Sequence, residues 1–506
     1  MTDLSNITFA FSFISIGCLL FGYIIGINSN FVSEGQLLCA EAGMASGTWT
    51  SWGYDQCYEM SSVALSLLDT VPLLGAMASS LFCFRYADNL GRKLEMQISA
   101  VSYIVGSLTA AASPVLWGVF LGLLIYGVAI GFGMHVVPLY ISEISPANVR
   151  GSFVSATEVI IALGMLLGYT TGFVFSYVDF WGWRLMQVCA TFLAAAMLCG
   201  VAYVPESPRY LVLMAAKRDG VAKDGVLQEA LASLAFFRAS ASKEAEEELR
   251  AMRVETQESL RCDREAESLL RGRKPEAAGA LAAFAHPRPL LVGCGIVALQ
   301  QLSGQPSVLY YATDVFKQAG FGSSSSLDAV FLGVIKLLTT LFTVWRVDQY
   351  GRRLLLFVGV SMMTVSLAVV AAGFSQSKCS IPELSVTECS SDDLSISQDW
   401  AIVTMLGLLV YISGYQIGFG PISWLLISEI FPLSVRGSAL SVAVMTNFGF
   451  YIGVTFFMSV MADVLSTAAV FSIFCCLSLV SIAFVWAFVP ETKGKTLEEI
   501  EAAMRA

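Results

Sequence analysis

The chain has 506 residues, of which 56% are hydrophobic and 13% charged, with a formal net charge of −10. A soluble chain of this length carries about twice that charge. The composition therefore excludes an ordinary soluble enzyme; the dispersed acidic excess says little about nucleic acid, and no nucleic-acid partner is expected.

Apolar runs near 20 residues recur along the whole chain, the length that crosses a hydrocarbon core as helix. The first, from Ile7 to Phe31, lacks a basic leading region and a small-residue cleavage site, so it reads as a first span and not a signal peptide. Twelve spans are expected, at about 7–31, 61–84, 94–114, 116–141, 151–177, 183–204, 289–311, 327–346, 354–376, 399–427, 437–461 and 466–489. With both termini cytoplasmic, Arg184, Lys317 and Lys378 fall on the outer side and Lys336 lies inside a span. All the rest of the 29 Lys and Arg are then cytoplasmic, as the positive-inside rule requires. The predicted fold class is an all-α membrane protein of two six-helix halves, 1–204 and 287–489, with a cytoplasmic helical linker at 205–286 and a short tail at 490–506. In the linker, 223–239 and 242–271 are helix-compatible and read as short solvated helices on the cytoplasmic face.

The stretch from Gly293 to Phe316 is apolar yet carries Gln300, Gln301, Ser303, Gln305, Ser307, Tyr310 and Tyr311. On a helix, Gln300, Ser303, Ser307 and Tyr310/Tyr311 share one face. Uncharged donors and acceptors at bilayer depth must face protein or a wet cavity. Pro306, which lacks an amide donor, predicts a break there, assisted by Gly304. A broken helix with a polar stripe is how transporters build substrate sites. An interhelical hydrogen-bonding patch explains the same residues.

The two halves echo each other. Glu143 and Arg150 recur as Glu429 and Arg436 at an offset of 286, and Pro205-Glu206 recurs as Pro490-Glu491 at 285. Asp88, Gly91 and Arg92 after the second span match Asp348, Gly351 and Arg352 after the eighth. Such spacing signals a parallel internal repeat. Asp88, Arg92, Glu143, Arg150, Glu206, Arg209, Arg352, Arg353, Glu429, Arg436 and Glu491 are read as a cytoplasmic salt-bridge network. It forms when the ends of the halves approach and breaks when that side opens. One exposed pair is worth about 0–1 kcal/mol, but several bias a two-state equilibrium. Topology-setting charge is the plainer account of the same residues.

Of twelve cysteines, Cys39 with Cys57 and Cys379 with Cys389 share outer loops and are candidate disulfides in an oxidising space. Neither Cys nor His shows metal-ligand spacing, so no metal and no cofactor is expected. His135 reads as a satisfied core residue, and no nucleophile–base constellation suggests an enzyme.

These motifs resemble the sugar porter family of the major facilitator superfamily, which includes facilitative glucose transporters and proton-coupled sugar symporters. The resemblance runs from about Phe21 to Ile500. It rests on Phe21-Gly22-Tyr23, Gly91-Arg92-Lys93, Glu143 with Arg150-Gly151, Trp183-Arg184, Pro205-Glu206-Ser207-Pro208-Arg209, Gln300-Gln301, Gly351-Arg352-Arg353, Gly420-Pro421 with Trp424, and Pro490-Glu491-Thr492. It implies alternating access around a central sugar site. By position, Gln300 and Gln301 hydrogen-bond sugar hydroxyls, Trp424 faces the ring, and Gln416 and Asn447 complete the polar lining. Tyr310 and Tyr311, hinged at Gly304 and Pro306, form an outer gate.

The chain departs from the family at five places. Ile24 stands where proton-coupled members carry Asp, Glu158 replaces a Gln, Lys336 and Pro306 replace Asn, and Phe448 stands where Trp often follows Asn447. A lone charge at bilayer depth costs about 3 kcal/mol on insertion scales. Glu158 and Lys336 are therefore expected to form a salt bridge beside the sugar, where they either bind hydroxyls or staple the halves. The expected function is facilitated diffusion of a hexose by a monomer in the plasma membrane. The alternative is a proton-coupled sugar or polyol symporter using Glu158. A sugar receptor on the same fold is disfavoured, because family receptors carry long signalling tails and only Glu491 to Ala506 follows the last span.

Overall fold

The computed structural model describes residues 5–33, 46–47, 57–58, 62–146, 149–178, 181–216, 221–238, 245–254, 256–257, 287–310, 325–376, 378–379, 394–395, 397–431 and 436–494. The first half holds α1 (Ser5–Ile14), α2 (Ile16–Ser33), α3 (Ser62–Leu90), α4 (Arg92–Ala112), α5 (Leu116–Ile144), α6 (Arg150–Phe175) and α7 (Gly182–Tyr203). Then come α8 (Pro208–Ala216), α9 (Val221–Arg238) and a helical stretch at 245–254. The second half holds α10 (Pro287–Leu302), α11 (Gln305–Tyr310), α12 (Ser325–Tyr350), α13 (Arg352–Ser375), α14 (Gln398–Ile417), α15 (Phe419–Ile430), α16 (Arg436–Val464) and α17 (Thr467–Phe488). Among the described residues, strands occur only as two-residue pairs: Ser46–Gly47 runs parallel to Cys57–Tyr58, and Lys378–Cys379 antiparallel to Leu394–Ser395. Cys39 and Cys389 lie outside the described residues, as do the side chains of Cys57 and Cys379, so both candidate disulfides fall there.

Among the described residues, ten stretches are long and apolar enough to cross a membrane. The expected third and seventh spans fall short for physical reasons. Arg92, Lys93, Glu95 and Gln97 dilute the hydropathy of α4. The 16 residues of α10 stop below the length of about 20 that a span needs, because the chain breaks before α11. That break sits two to three residues before Pro306, at the glycine expected to assist it. It falls at Ser303–Gly304, where Gly304 takes φ +88°. Pro306 lies instead in the first turn of α11, where its missing N–H goes unused, so it starts the second half-helix. A second break, at Gly418, divides the tenth span into α14 and α15.

In the first half, α2 packs on α6, and α4 on α5 and α7. In the second, α13 packs on α14 and α17, and α10 on α16. Two seams join the halves, α3 against α16 and α6 against α12, and one hydrophobic core runs through both. At the C-terminal end of α4, the buried Arg184 guanidinium donates to Ala111 O and Ser113 O, both at 2.7 Å. A cation there satisfies the carbonyls that a helix C-terminus leaves open.

The linker helices are docked and not merely solvated. Leu211, Val212, Ala230, Leu234, Leu249 and Met252 form a small core of their own. Asn6 Nδ2 donates to Phe236 O at 2.7 Å, Ser233 Oγ to Glu206 O at 2.6 Å, and Arg238 Nη1 to Ile144 O at 2.9 Å. These bonds tie α9 to the first half.

The repeat is visible atom by atom where α3 meets α4 and α12 meets α13. Gly91 and Gly351 take φ +86° and +91°, a region that costs an L-residue roughly 1–2 kcal/mol. A Cβ at Gly91 would stand 2.8 Å from Glu206 Oε2, and one at Gly351 2.9 Å from Glu491 Oε2. Each bare glycine thus lets a carboxylate cap the next helix: Glu206 accepts from Arg92 N and Lys93 N, and Glu491 from Arg352 N and Arg353 N, all at 3.1–3.2 Å. Gly351→Ala is expected to lower the melting temperature of the purified protein, at a cost of about 1–2 kcal/mol or more. Gly225→Ala on α9, where a Cβ meets nothing within 4 Å, is expected to leave it unchanged or raise it. Equal melting of the two variants would contradict the capping account.

Candidate functional site

The site is built where α10 breaks. The break exposes backbone carbonyls, and Tyr411 of α14 donates from its hydroxyl to Ser303 O at 3.0 Å. One turn along, Tyr415 accepts from Gln300 Nε2 at 2.7 Å, with Phe419 O a second acceptor at 3.4 Å. The Gln300 amide is thereby oriented with Nε2 engaged and Oε1 without a protein partner. Gln416 repeats the arrangement: its Nε2 donates to Thr340 Oγ1 at 2.7 Å, and its Oε1 has no partner. Gln301 Oε1 is likewise buried and unpaired. Leaving one buried acceptor unmade costs about 1–3 kcal/mol, so each of the three is a candidate acceptor for a hydrogen-bond donor from outside the protein.

Lys336 of α12 and Glu158 of α6 are both buried, and they face each other's charge across a seam between the halves. The expected direct salt bridge is not made, since no carboxylate lies within 4.0 Å of Lys336 Nζ among the described residues. The ammonium instead stands 6.0 Å from the Tyr415 ring centroid. Thr340 Oγ1 donates back to Lys336 O at 2.7 Å, which joins Lys336 and Gln416 on one surface. Trp424 is half-buried on α15 and Asn447 is buried on α16. Phe448 meets Phe21 edge-on at 6.1 Å across the halves. Tyr311 and the side chain of Tyr310 lie outside the described residues, so the outer gate falls there. Sequence reasoning missed Tyr411, Tyr415 and Thr340. The one available signal was the i, i+4 spacing of two tyrosines beside Gln416.

At the Gly91 and Gly351 end of the bundle the described charges pair within each half. Arg92 Nη2 lies 3.2 Å from Glu143 Oε1, and Arg352 Nη2 lies 2.9 Å from Glu429 Oε1. Thr492 Oγ1 donates to Glu429 Oε2 at 2.6 Å, and Arg353 Nη2 to Trp486 O at 2.6 Å. This corrects the expectation that these pairs bridge the two halves: each closes a triangle of helix ends in its own repeat. Arg209 lies half-buried in α8 with no ion pair among the described residues. The side chains of Asp88, Arg150 and Arg436 lie outside the described residues. Burial pushes the Glu206 carboxyl above the ordinary carboxylate range, against amide bonds from Ser207 and Lys93 and the charge of Arg92.

Residues without metal-ligand spacing along the chain also meet in space. The fold gathers Cys83, Glu95 and His135 from three helices into one buried cluster.

Two helical halves in parallel repeat, with an acceptor-rich site beside a broken helix at their seam, define a secondary transporter of the major facilitator fold. Residues 10–504 match the family model described as "Sugar (and other) transporter". The chain belongs to the sugar porter family of the major facilitator superfamily; it is a multi-pass membrane protein that transports sugar, and not an enzyme. It is 37% identical to a D-xylose-proton symporter-like 3, chloroplastic, of Arabidopsis thaliana, over 98% of this chain and 82% of the relative. It is 30% identical to the solute carrier family 2, facilitated glucose transporter member 8 of Bos taurus, over 96% and 92%. The proton:xylose symporter XylE bound to 6-bromo-6-deoxy-D-glucose superposes with a TM-score of 0.76 at 25% identity, covering 99% of both chains.

Proposed function

We propose that the chain moves a hexose down its gradient as a uniporter, rocking its two halves about the sugar. The observation that carries this reading is the trio of unpartnered amide oxygens on Gln300, Gln301 and Gln416. A ligand rich in hydroxyl donors and free of charge satisfies all three. Trp424 supplies a face for the apolar side of the ring, and Asn447 a further amide. Tyr310 and Tyr311 close the outer side over the sugar, swinging at Gly304 and Pro306. Uniport is supported by Ile24, a buried side chain that holds no proton at the place where coupled members of the family carry Asp. We place the chain in the plasma membrane as a monomer with both termini cytoplasmic, which imaging of a tagged chain tests.

A second reading, proton-coupled symport of a sugar or polyol through Glu158, is favoured by one observation: a buried carboxyl whose counter-charge, Lys336, does not touch it. The relatives named proton symporter-like lend it weight. Uptake of radiolabelled glucose, fructose, xylose and inositol into proteoliposomes separates the two. A one-proton symporter accumulates sugar up to about tenfold per unit of pH gradient, since 1.4 kcal/mol is a factor of ten. The uniporter is expected to equilibrate hexose and stop. Accumulation that Glu158→Gln removes would replace uniport by symport.

A further inference from the structure

We propose that Cys83, Glu95 and His135 form a binding site for a divalent cation of the zinc class, set between α3, α4 and α5 just inside the cytoplasmic end of the first half. Their ligand atoms all lie within 4.8 Å of one another. Cys83 Sγ stands 3.3 Å from Glu95 Oε1, and His135 Nδ1 stands 2.6 Å from the same oxygen. All three side chains are buried, Glu95 completely.

The cluster taken as hydrogen bonds alone leaves a remainder. Both neighbours use one oxygen of the carboxylate, and Glu95 Oε2 is buried with no partner. A cation bound by the carboxylate accounts for that atom. A tetrahedral zinc, with sulfur at about 2.3 Å and nitrogen or oxygen at about 2.0 Å, holds neighbouring ligand atoms roughly 3.3–3.6 Å apart. The sulfur–oxygen separation already matches, and the imidazole must retreat by less than about 1 Å. Thiolate with imidazole selects zinc, cobalt or cadmium over magnesium and calcium. Binding releases the Cys83 thiol proton to solvent and leaves the sulfur as ligand.

Position gives the site a consequence. Glu95 lies in the first turn of α4, three residues from Arg92, whose guanidinium pairs with Glu143 of α5. A cation fixing α3, α4 and α5 to one another there stiffens the half that must rock, so occupancy slows transport. This last step rests on the transport reading; the binding itself does not.

The test uses the purified full-length chain. Co(II) added to it is expected to give a sulfur-to-cobalt charge-transfer band and visible tetrahedral absorption, both displaced by Zn(II). Cys83→Ser is expected to abolish the band, and His135→Gln to weaken Zn(II) at least tenfold in a chelator competition. Cys199→Ser, an exposed cysteine on α7, is expected to change neither. A wild-type chain with no cobalt–thiolate band overturns the proposal. So does a band that survives Cys83→Ser, or equal zinc affinity in His135→Gln. Should a variant fail to fold, the wild-type spectrum decides alone. Zinc bound without slowed uptake would overturn the transport consequence and leave the site standing.

Discussion

Lys336→Met is expected to abolish measurable sugar uptake. Glu158 has no cation within salt-bridge reach among the described residues, and the substitution removes the one buried charge that faces it across the seam. A lone charge at bilayer depth costs about 3 kcal/mol, which corresponds to a loss of roughly a hundredfold. Glu158→Gln should harm in the same direction, because it strands Lys336. The double variant Glu158→Gln/Lys336→Met removes both charges, so it is expected to recover folding and part of the uptake. Initial rates in proteoliposomes, normalised to the folded protein seen by size exclusion, measure all three. A double variant no better than either single one would mean that the two charges act independently. Because the pair is separated rather than bridged, a sugar hydroxyl seated between them would accept from Lys336 and donate to Glu158. Coupling that weakens when sugar saturates the site would fit that role.

The parts of this molecule that repeat in sequence were legible in it. The offsets of 286 and 285 between Glu143 and Glu429 and between Pro205 and Pro490 required two like halves, and both copies cap a helix with a glutamate beneath a glycine. The polar stripe on α10 was legible because glutamine is conspicuous among apolar neighbours. Its break was legible at Gly304 and Pro306, though the two act differently: Gly304 takes the positive φ, and Pro306 sits in the first turn of the next half-helix, where its missing N–H goes unused. Tyr411 and Tyr415 were invisible for the opposite reason. An aromatic on an apolar helix looks like core until its hydroxyl is seen on a residue more than a hundred positions away. The same holds for Cys83, Glu95 and His135, whose separations along the chain mean nothing until three helices meet. Charge pairing was misplaced because sequence shows which acids and bases repeat but not whether each pair closes within a repeat or across the two.

Gln300 is the residue whose loss should be felt in affinity more than in folding. Its Nε2 is held by Tyr415 and its Oε1 faces the site, so Gln300→Leu keeps the volume and removes the acceptor. A neutral hydrogen bond is worth about 0.5–1.5 kcal/mol, and Leu also strands the Tyr415 hydroxyl, so the half-saturating sugar concentration is expected to rise roughly tenfold or more. Tyr415→Phe leaves the acceptor in place but frees the amide to turn. Its expected effect is a rise of about threefold to tenfold, in line with one positioning bond. Since Tyr415 acts through Gln300, the two effects should not multiply: Tyr415→Phe placed on Gln300→Leu is expected to add little. A 6-deoxy and 3-deoxy hexose series measured on both variants then identifies the hydroxyl that Oε1 receives, because the matching deoxy sugar loses affinity in the wild type and not in Gln300→Leu. If every deoxy sugar loses the same factor in both proteins, Gln300 is a structural amide and the binding surface lies elsewhere on the seam.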